Sequence, residues 1–102
     1  MGLVSIRFRD PDTGSTYEFK VPEELLDYGV YFGFEKRKTG HRILVLVKED
    51  KPLIKPPFNY GDTVLVDGVE HVIVGYKFTS FKIGRKRFKG FRFYLMEKSK
   101  VR

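Results

Sequence analysis

Apolar and polar residues alternate along the first two segments of the chain that can form β-strands. In LVSIRFR, residues 3–9, the alternating apolar positions are Val4, Ile6 and Phe8. In STYEFKV, residues 15–21, they are Tyr17, Phe19 and Val21. This alternation is typical of a strand with one face on the core and the other in water. The intervening DPDTG predicts a turn, because its proline fixes φ and its glycine tolerates positive φ. The pattern therefore predicts a β-hairpin over residues 3–21.

A second hairpin is predicted over residues 30–49. VYFGFEKR and RILVLVKE flank the turn KTGH, in which His41 is expected to be exposed. Residues 43–47 are apolar on both faces, which predicts a strand that is covered on both sides. Between the two hairpins, PEELLDYG has proline and glutamates at its start and glycine at its end. That order predicts at most one short helical turn.

The clearest turn signal is Asp67-Gly68, because a two-residue type I′ turn requires positive φ at both positions. It joins GDTVLV, residues 61–66, to VEHVIVGYKF, residues 69–78. In the second strand one face, assigned to the core, carries Val72, Val74, Tyr76 and Phe78, and the opposite face carries His71. The alternation changes phase at Thr79-Ser80, where a bulge or a strand end is expected.

The remaining segments complete a small β-protein. DKPLIKPPFNY, residues 50–60, is predicted to be irregular, because proline lacks a backbone donor. KIGRKRFKG, residues 82–90, is predicted to be a loop, and FRFYLME, residues 91–97, the last strand. The fold class is therefore all-β: a small SH3-like barrel of about 5–7 antiparallel strands, with residues 1–102 as a single domain. Ten Phe, six Tyr and the absence of Ala agree with β structure.

The segment GDTVLVDGVEHVIV, residues 61–74, resembles the opening hairpin of SH3-like barrels of the KOW type. The matching residues are Gly61, Asp62, Val64, Val66 and Gly68. The resemblance implies a barrel that binds RNA, DNA or a protein through its loops. A similar hairpin also occurs in small β-barrel connector proteins of tailed phages.

Positive charge is concentrated at the end of the chain. Residues 77–102 hold 10 of the 20 Lys and Arg residues and 1 of the 13 Asp and Glu residues, a net charge of +9. Residues 1–76 hold the other 10 basic and 12 acidic residues, a net charge of −2, so the end of the chain accounts for the total of +7. This asymmetry indicates an acidic partner, and nucleic acid, DNA or RNA, is the first candidate.

The candidate site is a basic C-terminal hairpin that gathers its cations into one patch. Its cations would contact phosphates, while Phe88, expected to be exposed beside the basic loop, and Tyr94 would stack on bases. The candidate nucleic-acid-binding residues are Lys77, Lys82, Arg85, Lys86, Arg87, Phe88, Lys89, Arg92 and Tyr94. Contacts of this kind predict binding with little sequence specificity.

Two other interpretations of the basic segment remain open. Lysines on an edge strand also prevent aggregation between strands, so the segment can be simply a solvated edge. A structural or interaction protein, such as a virion connector, a complex subunit or an inhibitor, would instead dock a protein through exposed strands and the proline-rich loop. Oligomeric state does not follow from the sequence.

No catalytic motif or cofactor motif is present, so a protein that is not an enzyme and holds no cofactor is expected. The absence of Cys excludes disulfides, thiolate metal ligands and a Cys nucleophile. His41 and His71 have no further ligands at metal-binding spacing, so no metal site is predicted. Without a signal-peptide pattern or a long apolar run, we expect a cytoplasmic protein with no membrane partner. Abundant Lys and Glu with a single Asn indicate a thermophilic source.

Overall fold

Seven antiparallel strands make up most of the computed structural model, which describes residues 2–101. The strands are β1 (Leu3–Arg9), β2 (Thr16–Pro22), β3 (Tyr31–Arg37), β4 (Gly40–Lys48), β5 (Thr63–Val66), β6 (Val69–Ile83) and β7 (Lys86–Glu97). A four-residue helix, α1 (Glu24–Asp27), follows β2, and a 3-10 turn, Lys98–Lys100, follows β7. The all-β, antiparallel prediction is confirmed, and β1 has the predicted bounds.

The strands form one sheet in the order β1-β2-β5-β6-β7-β4-β3. The sheet curls until its two edge strands meet through side chains: the ring of Phe8 on β1 lies 5.6 Å from that of Phe32 and 5.7 Å from that of Phe34, both on β3. Within residues 2–101 no backbone pairing joins β1 to β3. Bulky rings fill the seam, so the two backbones do not reach the roughly 4.8 Å spacing of paired strands. The expected closed barrel is therefore corrected to an open, curled sheet.

The concave side of the sheet, here called the inner face, encloses the main core, and the convex side is called the outer face. The core residues are Tyr17, Phe19, Val21, Ile43, Val45, Phe58, Val64, Val66, Ile73, Phe91, Phe93 and Leu95. Phe58 comes from the irregular proline-rich segment and not from a strand. Its ring meets that of Phe93 edge-on at 4.9 Å and that of Phe19 at 5.6 Å. The proline-rich segment is thereby anchored to the sheet.

The prediction that residues 43–47 are covered on both faces is confirmed, because every one of these five residues is buried. Ile43 and Val45 face the main core. Leu44 and Leu46 face outward, where they form a second buried cluster with Phe88 of β7, against which Phe81 of β6 packs. The sheet therefore has a small apolar cluster on its outer face at the junction of β4, β6 and β7.

The predicted Asp67-Gly68 turn is confirmed. Asp67 has φ of 53° and Gly68 has φ of 80°, the two positive values that a type I′ turn requires. The backbone N–H of Asp67 donates to the carbonyl of Thr16 at 2.8 Å, and a carboxylate oxygen of Asp67 accepts from the N–H of Thr16 at 2.9 Å. The turn therefore joins β5 and β6 to the start of β2.

Among residues 2–101, neither α1 nor the 3-10 turn has the length and the apolar character that a membrane-spanning helix needs.

A β-bulge at Val74 sets which side chains of β6 face inward. Ile73 is opposite Leu95 and Gly75 is opposite Tyr94, so Val74 is an extra residue with no partner in the ladder. Before the bulge, His71 and Ile73 face inward and are buried, while Val74 itself is 41% exposed. The assignment of Val72 and Val74 to the core and of His71 to the opposite face was therefore wrong.

The bulge lies five residues before the phase change that the sequence predicted at Thr79-Ser80. Beyond Val74 the even-numbered residues of β6 face inward, and Tyr76 and Phe78 lie opposite Phe93 and Phe91. Tyr76 and Phe78 do share the inner face, as predicted, but both remain exposed and do not enter the core. The register after the bulge has no irregularity as far as Ile83.

Gly90 of β7 is required for the close approach of β7 to β4. A Cβ atom at this position would overlap the carbonyl oxygen of Val45 and lie 2.9 Å from the Cα of Leu46. Both obstructing atoms belong to the backbone, so a side-chain adjustment cannot relieve the overlap. The packing of β7 on β4 therefore depends on the absence of a side chain at Gly90.

We expect Gly90→Ala to lower the free energy of unfolding by about 3 kcal/mol, because the two strands must separate to admit a methyl group. Gly75→Ala is the matched control: it lies on the neighbouring strand, and no atom is within 4 Å of its added Cβ. That control should change stability by less than about 0.5 kcal/mol. Urea unfolding of the three proteins measures both values, and equal losses in the two variants would contradict the steric argument.

Candidate nucleic-acid interface

The basic segment is a paired β-ribbon. The structure corrects the predicted loop over residues 82–90: β6 continues to Ile83, β7 begins at Lys86, and a two-residue turn, Gly84-Arg85, joins them. Gly84 adopts φ of 63°, which a two-residue hairpin turn favours. Pairing is continuous from Gly75–Tyr94 to Ile83–Lys86. The far end of this ribbon, residues 75–94, is here called the basic hairpin.

The predicted cations lie on both faces of the basic hairpin and not in one patch. Residues opposite each other in a ladder share a face, and successive residues along a strand alternate. The inner face carries Lys82, Arg87 and Lys89. The outer face carries Lys77, Lys86 and Arg92, and Arg85 lies in the turn. One hairpin does bring all seven together, as the sequence indicates, but the single patch is corrected to two groups and a turn residue.

Like charges oppose each other directly in the ladder. Lys82 pairs with Arg87 on the inner face, and Lys77 pairs with Arg92 on the outer face. Opposite Cβ atoms in an antiparallel ladder are about 4.5–5.5 Å apart, a separation at which like charges destabilise the pairing. Lys89 lies opposite Ser80, one pair further along the inner face. The inner face therefore holds three cations within two successive same-face rows.

Among the described residues, acidic side chains form an ion pair with only one of these seven cations, Arg92. Among residues 2–101 the cations in ion pairs are Arg7, Arg37, Arg42, Arg92, Lys98 and Lys100. The three inner-face cations and Arg85 are absent from that set. The repulsion between Lys82 and Arg87 is thus not compensated by any described acidic side chain.

Arg92 has a structural partner instead of an open position. Its Nε donates to Glu35 of β3 at 3.0 Å, and its guanidinium lies 5.2 Å from the ring centre of Phe81. Arg92 and Glu35 are both largely shielded from water. Arg92 is therefore held in an ion pair on the outer face.

Phe88 is not the exposed stacking residue that the sequence indicated. It is only 7% exposed, because it covers Leu44 and Leu46 on the outer face, and the ring of Tyr31 meets it edge-on at 5.1 Å. The sequence feature that could have predicted its burial is the pair Leu44 and Leu46, because apolar side chains on the outer face of β4 have to pack against another apolar side chain. Tyr94 is half-buried under Arg42, whose guanidinium is 5.0 Å from its ring centre.

Five aromatic side chains of residues 2–101 are exposed. Two of them, Phe8 and Tyr31, are on the edge strands β1 and β3, and the other three are Tyr60, Tyr76 and Phe78. Tyr76 and Phe78 are on the inner face of β6. Tyr60 is the last residue of the proline-rich segment, and its ring lies 5.8 Å from that of Tyr76. We call these three residues the aromatic strip. The sequence placed Tyr76 and Phe78 in the core; they do lie on the inner face, but the core does not cover them.

The two histidines meet at the opposite end of the curled sheet. The ring of His41 is perpendicular to that of His71 at 5.7 Å, and its Nδ1 is 2.8 Å from the hydroxyl of Tyr17. His41 is thus partly buried beside the core and is not the exposed turn residue that was expected. Residues 2–101 contain no cluster of three or more His, Cys, Asp or Glu side chains suited to a metal ion.

Comparison of the chain with models of protein families, with curated proteins and with solved structures gave no match. The resemblance of residues 61–74 to KOW-type barrels therefore stays a prediction. The function has to be argued from the geometry of the basic hairpin and its neighbours.

The environment of His41 predicts a loss of stability at acidic pH. Burial lowers the pKa of His41 from its ordinary value of 6.5, and the neighbouring His71 and Lys36 lower it further, against opposing effects of Asp67 and Glu97. A base with a lowered pKa in the folded state binds fewer protons there than in the unfolded chain. The free energy of unfolding should therefore decrease as pH falls from 6.5 through the folded-state pKa.

The measurement is urea unfolding at a series of pH values, together with an NMR titration of the His41 ring. His41→Gln should flatten the pH dependence in this window, and His71→Gln should raise the pKa of His41 towards 6.5, because one source of repulsion is gone. A His41 ring that titrates at or above 6.5 in the native protein would contradict the assignment.

Proposed function

We propose that this protein is a nucleic-acid-binding protein without enzymatic activity, which binds the phosphate backbone through its basic hairpin. The observation that carries the proposal is the set of inner-face cations, Lys82, Arg87 and Lys89, with Lys82 and Arg87 directly opposed. None of the three forms an ion pair with an acidic side chain of residues 2–101. A bound phosphate placed between opposed cations replaces their repulsion by attraction. Each phosphate that is neutralised also releases condensed counterions.

The proposal keeps part of the set that the sequence indicated. Lys82, Arg85, Arg87 and Lys89 would contact phosphates from the inner face and the turn. Lys77 and Lys86 would add to the positive potential from the outer face. Contacts with phosphates position a protein but read no bases, and α1, with four residues, is too short to act as a recognition helix. The binding should therefore have little sequence specificity.

A second function, docking of a protein partner, is favoured by an apolar groove on the other half of the molecule. The proline-rich segment and α1 border this groove, of about 1040 Å³, over the outer face of β1, β2 and β5. Its apolar lining includes Leu3, Leu53 and Leu65, and the outer edge of β1 carries no strand partner among residues 2–101. The mass of the nucleic-acid-free protein in solution tests this alternative: a stable oligomer that Leu53→Ser dissociates would favour it.

The test of the main proposal is a binding titration with mixed-sequence oligonucleotides at several salt concentrations. We expect log Kd to rise linearly with log salt concentration, with a slope of about 0.7–0.9 for each phosphate contacted. Lys82→Gln/Arg87→Gln/Lys89→Gln should weaken binding at least about tenfold and reduce that slope by roughly 2 to 3.

The matched control is Lys20→Gln/Lys38→Gln/Lys55→Gln, which removes the same charge from exposed positions outside the basic hairpin. This control should retain most of the affinity. Thermal unfolding of both variants verifies that they fold, and removing the opposed cations should not reduce stability. Equal weakening in the two variants would show that binding reflects net charge alone and would reject the proposed site.

A further inference from the structure

The aromatic strip has rings that are exposed but held in fixed orientations. Tyr60, Tyr76 and Phe78 are 68%, 39% and 59% exposed. Tyr76 contacts the buried Phe91 edge-on, with ring centres 5.6 Å apart at 87°, and Phe78 contacts the same ring at 6.3 Å and 82°. The rings are therefore supported from the core while one side stays accessible. Contiguous exposed apolar surface of this kind marks a binding site on a folded protein.

The strip is continuous with the inner-face cations. Along β6 the same-face positions after Tyr76 and Phe78 are Ser80 and Lys82, and across the ladder these two lie opposite Lys89 and Arg87. A ligand lying along this face would meet rings first and then three positive charges. Flat apolar groups joined to a chain of negative charges are the chemistry that fits this order, and nucleotides supply both. Aromatic platforms beside positive grooves are how proteins hold unpaired nucleic acid.

The spacing of the rings favours a single strand over a duplex. Same-face residues on a strand are about 6.6 Å apart, roughly twice the 3.4 Å separation of successive bases in a duplex strand. Two bases can therefore rest on Tyr76 and Phe78 only if they are no longer stacked on each other. In a duplex the faces of the bases are covered by their neighbours, so the rings would find no partner.

We propose that the ligand of this site is a single-stranded nucleic acid, with unstacked bases on Tyr76 and Phe78 and with the adjoining phosphates on Lys82, Arg87 and Lys89. This assignment rests on the proposed function, because it names the form of nucleic acid that the basic hairpin binds. Tyr60 extends the platform by one ring beyond Tyr76. On the outer face, Phe81 and Phe88 pack on Leu44 and Leu46. The exposed ring of Tyr31 meets Phe88 there at 5.1 Å, on the opposite face from the three inner-face cations.

The experiment compares four probes by fluorescence anisotropy: labelled oligothymidylate and oligouridylate of about 12 nucleotides, a length within the range that small β-domains cover, a mixed-sequence duplex of the same length, and an abasic single strand with the same phosphates. We expect one or both single-stranded homopolymers to bind more tightly than the duplex and the abasic strand. Phe78→Ala and Tyr76→Ala should each weaken binding of the homopolymer about 5- to 100-fold, the range measured for loss of base stacking. The salt dependence should not change, because no cation is removed.

Ile83→Ala is the matched control for Phe78→Ala. Ile83 is 61% exposed, lies on the same hairpin and faces the outer side, so its truncation should leave the affinity unchanged. The abasic strand should bind to Phe78→Ala as it binds to the native chain, since neither complex contains a base on that ring. Retained binding of the abasic strand also verifies that Phe78→Ala is folded, and the comparison of probes on the native chain requires no variant.

The possible outcomes separate this inference from the function on which it rests. Equal affinity for duplex, abasic strand and homopolymer, with Phe78→Ala harmless and the triple cation variant damaging, would overturn the single-strand assignment but keep phosphate binding. No salt-dependent binding to any probe would overturn both. Loss of homopolymer binding in Ile83→Ala as large as in Phe78→Ala would also overturn the assignment, because the effect would not belong to the inner face.

Discussion

One extra residue in β6 determines what the far half of the protein presents to solvent. Without the bulge at Val74, the alternation that buries His71 and Ile73 would direct Lys77 inward and turn Tyr76 and Phe78 outward. With it, the aromatic residues and Lys82 occupy one concave face. The aromatic strip and the position of Lys82 on the same face as Arg87 and Lys89 follow from that single change of register.

The outer face of the basic hairpin is packed against β4 and stabilises the hairpin, whereas the inner face is exposed to solvent. On the outer face Phe81 and Phe88 bury Leu44 and Leu46, while Arg92 pairs with Glu35 across β4. These contacts anchor the ribbon to β4 and offset the repulsion within it. The inner face of the same part of the hairpin can therefore present opposed cations and exposed aromatic rings to solvent. The repulsion between cations on the inner face destabilises the ribbon, and the packing of the outer face compensates for it.

The sequence predicted those features that local chemistry determines. Alternation predicted β1 to its bounds, Asp67-Gly68 could be assigned because type I′ turns need two positive φ values, and the doubly apolar residues 43–47 predicted a strand with two covers. Features that depend on distant strands were missed. No residue adjacent to Val74 indicates a bulge, because the position of the bulge is set by pairing with β7. Phe88 is buried because it covers Leu44 and Leu46, which lie about forty residues earlier in the chain. The sequence therefore predicted that the seven cations lie on one hairpin, but it predicted an exposed Phe88 where the structure has a buried one.

The seam between β1 and β3 gives the molecule a line of weakness along its length. Phe8 meets Phe32 and Phe34 there through ring contacts alone, without a ladder between the backbones of the described residues. These rings can separate without breaking a backbone hydrogen bond, so the sheet can open along this seam while its other strands stay paired. In native-state hydrogen–deuterium exchange, the amides of β1 and β3 would then exchange before those of the other strands.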